Sequence, residues 1–254
     1  MHLFFTALLI ALVAGILEWD IYGWGQTMIS RPVVVGTVIG LILGDVKTGL
    51  FIGASIEMIY LGTIPVGAAV PPDATSATSI ATALGILSGI DAKVAITLAI
   101  PVAMAAQMLQ MFIWTINTGL MHKADKYVEK GDLKGTDRLH YLGSFLFFLQ
   151  GFIPAFLAIL FGVDAVKFLV EKMPAWLTNW FTVAGGILPA LGFAMLFVMM
   201  SNKKLVPFFI VGFAMAAFFH GTLLSVAVIG LAVALIYVNI ILENKDKTKA
   251  KAKA

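Results

Sequence analysis

The chain has 254 residues, of which 60% are hydrophobic and 12% charged, with 17 Lys and Arg against 14 Asp and Glu for a net charge of +3. A mean hydropathy of +0.98 excludes an ordinary soluble domain and a disordered chain, and so small and dispersed a charge excludes nucleic-acid binding. The absence of cysteine excludes disulfide scaffolds, thiolate metal sites and thiol nucleophiles.

A bilayer-crossing helix needs about 20 mostly apolar residues, because its backbone polar groups must be satisfied within its own turns. Leu3 to Leu17 is the first charge-free stretch. It has no basic flank and no small-x-small cleavage signal, so it reads as a retained helix and not a leader. The polar Glu18 to Asp20 patch ends it, and Gln26 follows in a polar segment before Arg31 and Pro32. Gln26 is a candidate ligand for a polar solute.

From Val33 to Ile90 the charges Asp45, Lys47, Glu57 and Asp73 interrupt the apolar pattern, and Pro65, Pro71 and Pro72 forbid one continuous helix. This region predicts helices plus a re-entrant or unwound element. Gly36, Gly40 and Gly44, then Gly49 and Gly53, form small-residue stripes suited to close helix packing. Glu57 has no charged residue in the nine positions before it and none after it until Asp73. A carboxylate in such surroundings costs several kcal/mol, on the order of 2 to 4, unless it is paired or lines a pathway; pairing with Lys47 is the bland alternative. Asp73 precedes Thr75, Ser76, Thr78 and Ser79, the pattern of a capped helix start, and a half-helix beginning within the membrane offers backbone groups to a solute. An ordinary surface cap has the same pattern.

Val94 to Met121 and Tyr141 to Val163 are long enough to cross. Gln107, within the first, can bind hydroxyls or bridge helices; Asn117 reads as a bridge. Between the two spans, Lys123, Lys126, Lys130, Lys134 and Arg138 fill a loop, and the C-terminal segment carries Lys245, Lys247, Lys249, Lys251 and Lys253. Both segments are expected on the cytoplasmic side. Met173 to Asn202 contains a further crossing after an amphipathic approach at Trp176 and Trp180, and Leu205 to Leu242 divides near His220 and Gly221; Trp19, Trp24, Trp176 and Trp180 fit an interfacial belt. The organisation expected is a membrane domain over residues 1–242 and a disordered Lys-rich cytoplasmic tail over 243–254.

The four His residues form no His-Glu-x-x-His motif, and there is neither a phosphate-binding Gly-x-x-x-x-Gly-Lys-Ser/Thr loop nor a Gly-x-Ser-x-Gly elbow. No catalytic residue, metal site or cofactor is predicted.

Several ordered segments together resemble a known family: Arg31-Pro32 before the glycine-spaced run to Asp45-x-Lys47-Thr48-Gly49; Gly53-Ala-Ser-Ile-Glu57-Met-Ile-x-Leu61-Gly62; Gly67-Ala-Ala-x-x-Pro72-Asp73; and Ala184-Gly185-Gly186. The chain resembles the IIC subunit of the mannose-type phosphotransferase system from about Gln26 to Tyr237. The resemblance implies an all-α polytopic membrane protein with re-entrant or broken helices, built as an elevator-type core and scaffold. It implies a sugar permease of the bacterial inner membrane, obligately paired with a IID membrane subunit, forming homo-oligomers of such pairs and served by soluble IIA and IIB phosphocarriers. The substrate implied is a hexose or amino sugar, with the Ala184 to Phe193 run closer to the N-acetylgalactosamine branch. Glu57 and Asp73, with Gln107, are the positions carried over as sugar contacts. The competing readings are a stand-alone ion-coupled sugar carrier, a membrane enzyme using Glu57 and Asp73 as acid and base, and a membrane scaffold or receptor.

Overall fold

In a computed structural model of the chain, residues 2–63, 72–172, 174–202 and 205–251 are described. Among them are nine α-helices, a short π-helical segment and no strand. The chain divides into two compact units, one ending at Met199 and one beginning at Met200.

The first unit holds seven helices. Four apolar helices are long enough to span a membrane: Leu3–Gly23, counting the π-helical residues, Ala92–Glu129, Leu133–Val166 and Ala175–Met200. The helix α1 (His2–Trp19) packs along α6 (Leu133–Lys172), whereas α2 (Pro32–Leu43) and α3 (Val46–Tyr60) form a short antiparallel hairpin. At about 1.5 Å per residue, α2 and α3 reach roughly 18 and 22 Å, short of the approximately 30 Å hydrocarbon layer. The re-entrant or unwound element expected after them falls mostly on residues 64–71, Pro65, Gly67 and Pro71 included, which lie outside the described residues.

The expected glycine packing is realised at the α2–α3 seam. A methyl group on Gly36 would fall 2.5 Å from the Gly49 carbonyl oxygen, and one on Gly53 would fall 2.5 Å from that of Pro32. The backbones touch where side chains would hold them apart. Gly44 differs from its neighbours in the stripe: no atom crowds it, and it turns the chain at φ 80° in the left-handed region. Asp45 then caps α3 by accepting from the Thr48 amide at 3.0 Å.

The helix α4 (Ala74–Ser88) touches α1, α2, α3, α5 (Ala92–Glu129) and α6, and Thr75 to Gly85 are all buried. Small residues and hydroxyls make such encirclement possible, because bulkier side chains would push five neighbours away. The proline residues Pro101, Pro154 and Pro189 sit inside α5, α6 and α7 (Ala175–Met200) without ending them, as long membrane helices allow.

Two expectations are corrected. The basic segment after Met121 is a helical hairpin and not a loop: α5 continues to Glu129, Gly131 turns at φ 70°, and Asp132 restarts the chain by accepting from the Gly135 amide at 3.0 Å. The first charges do not end the helix, because lysine and glutamate are good helix formers and carry α5 onward. Trp176 and Trp180 are exposed, as an interfacial belt requires; Trp19 instead turns inward, its indole N–H donating to Ser144 Oγ at 2.5 Å.

The second unit contains α8 (Val206–Ala217) and α9 (Leu223–Lys251). They are separated at the break expected near His220 and Gly221: His220 has φ 50°, and the Gly221 amide donates to Met215 O at 3.1 Å. The rings of Phe208 and Tyr237 meet edge to face at 5.3 Å.

Candidate functional site

The site begins where α1 loses its α-helical register. Asp20–Trp24 form a π-helical turn, a wider winding that commonly marks functional positions. It brings Asp20, Ile21 and Tyr22 to one cavity wall beside Glu18. The following segment is held in costly backbone geometry, with Gln26 at φ 51° and Met28 at φ 68°. Asp20 stabilises that turn: its Oδ1 accepts from the Thr27 amide at 3.0 Å and the Thr27 hydroxyl at 2.8 Å.

The cavity has a volume of about 360 Å³ and draws its walls from the end of α1, the Gln26 to Pro32 segment, Tyr60 at the end of α3 and Thr63 after it, the start of α4, and Gln110 of α5. Asp73 caps α4, its Oδ1 accepting from the amides of Thr75 at 3.0 Å and Ser76 at 3.2 Å. Thr75 then donates its hydroxyl to Ser30 O at 3.2 Å, which ties the wall segments together. Glu18 is 1% exposed, and its Oε1 accepts from Gln150 Nε2 at 2.7 Å. Gln110 Nε2 donates to the Tyr22 hydroxyl at 3.1 Å.

Each of these contacts uses only part of its group's capacity. Glu18 Oε2, Asp20 Oδ2, Asp73 Oδ2 and Gln110 Oε1 are buried, belong to residues lining this cavity, and accept no well-aligned hydrogen bond, while the Glu18 and Asp73 carboxyl groups lie within interaction range of each other. An unpaired buried acceptor costs about 1–3 kcal/mol. Four such acceptors around one cavity suit a solute that carries several donors.

Two of the residues singled out from the sequence, Asp73 and Gln26, line the cavity. Glu57 is not in its wall. Its Oε1 pairs with the Arg31 guanidinium and its Oε2 faces the Val33 amide at 3.4 Å; Arg31 does line the cavity. The partner is therefore Arg31, not the Lys47 considered from the sequence. Gln107 is also absent from the wall, where Gln110, nearly one turn further along α5, takes a place. Sequence reasoning passed over Glu18, Asp20, Tyr22 and Gln150. The available signal was Gln150 itself, the only amide in Tyr141 to Val163, and a pair of acids directly after an apolar run. Among the described residues, no group of three or more His, Cys, Asp or Glu could hold a metal ion.

Comparison with known proteins adds an independent line. Residues 4–236 match the profile of a family described as the PTS system sorbose-specific IIC component. Over 211 residues the chain is 38% identical to the mannose-specific EIIC component of the PTS of Escherichia coli K12, covering 83% of this chain and 79% of that one. Among solved structures, one described only as a membrane protein superposes with a TM-score of 0.82 at 35% identity, covering 94% of this chain and 96% of that one. The mannose transporter ManYZ, in its complex with microcin E492, gives a TM-score of 0.57 at 35% identity, with 93% and 94% covered.

Proposed function

The chain belongs to the family of sorbose-type IIC components of the phosphotransferase system, the membrane permease components for sugars, and on that premise we propose that the cavity beside Asp73 is where its sugar binds. The observation carrying this reading is that four residues lining the cavity, Glu18, Asp20, Asp73 and Gln110, each keep a buried oxygen without a well-aligned donor. A hexose or hexosamine supplies a ring of hydroxyl donors, and a carboxylate accepts from two adjacent hydroxyls at once. The substrate is not fixed by likeness, since the matching profile is described for sorbose and the relative for mannose.

In this reading Asp73, Gln26, Glu18 and Gln110 contact the sugar, and Glu57 acts through Arg31 by holding the guanidinium at the cavity wall. The sugar crosses the bacterial inner membrane by an elevator-type movement and is phosphorylated on arrival by a IIB phosphocarrier, itself charged by IIA. A sugar phosphate is poorly held by a site rich in carboxylates, because like charges repel at short range, so phosphorylation drives release. A IID membrane subunit completes the permease, a partnership supported by the two-part name of the ManYZ structure, and such pairs form homo-oligomers.

The test uses inverted vesicles containing the chain with and without the IID subunit, supplied with phosphoenolpyruvate, the general phosphotransferase proteins and a panel of labelled hexoses and hexosamines. Sugar phosphate formed only when both subunits are present is the expected result. Free sugar accumulating without phosphoenolpyruvate would establish the ion-coupled carrier, a reading that the acidic cavity also accommodates. Glu57→Gln should weaken uptake while leaving the protein folded; unchanged uptake removes the Arg31–Glu57 pair from the site.

A further inference from the structure

A second cavity lies beyond Tyr22. It has a volume of about 400 Å³, within the roughly 300–1,000 Å³ of small-molecule sites. It opens between α5 and α6 near their charged hairpin, and Asn117, Thr136, His140 and Ser144 supply its polar groups. Tyr22 lines both this cavity and the first. Its ring stacks on Phe147 at 4.2 Å and meets the edge of Trp114 at 6.2 Å, while its hydroxyl accepts from Gln110. One tyrosine, clamped by two aromatic rings and an amide, separates the two spaces.

The helix that runs past this partition carries a row of unmet polar atoms. Gln110 Oε1, Trp114 Nε1 and Asn117 Nδ2 are all buried and have no partner. Their spacing of four and then three residues places them on one face of α5, over a rise of about 10 Å. Gln110 belongs to the first cavity, Trp114 packs on the partition, and Asn117 belongs to the second. Asn117 owes its seat to Gly143, where a methyl group would come within 2.7 Å of Asn117 Oδ1. Buried polar atoms in native proteins are nearly always paired with protein, water or ligand. A face that shows an acceptor, a donor and another donor beside aromatic rings matches a solute whose hydroxyls donate and accept around an apolar ring.

We infer that the second cavity is a distinct sugar-binding station on the cytoplasmic side of Tyr22, reached along the Gln110–Trp114–Asn117 face of α5. The inference rests on the first cavity being the sugar site. Tyr22 keeps the two stations separate, and sugar leaving the first is held at the second on the side of the basic hairpin.

The chain has no cysteine, so single cysteines report on each station without background. Ser30→Cys places a thiol in the first cavity and Ala124→Cys places one in the second. Both are made in the full chain, in the membrane assembly in which it is expressed, and labelled with a thiol reagent in the presence of the hexose and hexosamine panel. The expected result is that the transported sugar slows labelling at both positions, and that Asp73→Asn abolishes protection of Ser30→Cys while protection of Ala124→Cys persists. Protection at Ser30→Cys alone overturns the second station and leaves the first-cavity reading standing; protection at neither overturns both. As a second measurement, Asn117→Leu should lower phosphoenolpyruvate-dependent uptake about tenfold without changing sugar affinity at Ser30→Cys. Asn117 Nδ2 has no partner, so its removal breaks no hydrogen bond at that atom, and a melting temperature measured beside uptake separates a folding defect from a lost sugar contact; unchanged uptake also overturns the proposal.

Discussion

Asp73 has two functions that can be separated. Oδ1 caps α4, while Oδ2 is buried without a well-aligned donor in a residue that lines the cavity. Asparagine keeps a cap acceptor and loses the charge, whereas alanine loses both. Asp73→Asn should therefore cut sugar uptake with little change in thermal stability. Asp73→Ala should cut uptake and also cost about 1 kcal/mol of stability, read as a lower melting temperature of the purified protein. Equal melting temperatures for the two variants would show that the cap contributes nothing. Asp73 was legible in the sequence because its cap is local: Pro-Asp-Ala-Thr-Ser is a helix start that five residues suffice to define. Glu18 was not legible as a site residue, since the amide that receives it, Gln150, is 132 positions away. Only folding brings α1 against α6 and turns an apparent span boundary into a cavity wall. Glu57 was legible as a costly charge, but the partner considered was Lys47, because only the course of the α2–α3 hairpin brings Arg31 within reach.

At the level of elements, glycines of the same composition have opposite roles. Gly36 lies against the Gly49 carbonyl, while Gly119, within α5, has open space around its Cα. Gly36→Ala should therefore destabilise by about 1–3 kcal/mol, the usual penalty for overpacking. Gly119→Ala should stabilise by about 0.4–1 kcal/mol, by restricting the unfolded chain and favouring the helix. Thermal unfolding of the two variants beside the parent protein checks both signs. Spacing by four identified the packed glycines in α2, because a helix repeats its face at that interval. It misassigned Gly44, whose place at the end of the same stripe hides a left-handed turn. Charge content likewise marked the hairpin after Met121 as being outside the membrane, but could not reveal that it stays helical, since an exposed helix and a solvated loop share a composition.

For the whole molecule, the question is how long helices meet a thin layer. With 38 residues, α5 is about 57 Å long, nearly twice the roughly 30 Å hydrocarbon thickness, so its charged end stands clear of the lipid. A cysteine at Lys130 should react with an impermeant thiol reagent in inverted vesicles and be protected in right-side-out ones; the reverse pattern would invert the assigned topology. The α2–α3 hairpin has a further consequence. Its far end is closed by the Gly44 turn and its near end by the Arg31–Glu57 pair, and between them the backbones are in contact. Because the backbones meet along that seam, the two helices hold together as a stiff paddle. Its near end carries Arg31, Pro32 and Tyr60, which form one side of the sugar cavity, so any tilt of the paddle widens or narrows the cavity without either helix having to unwind.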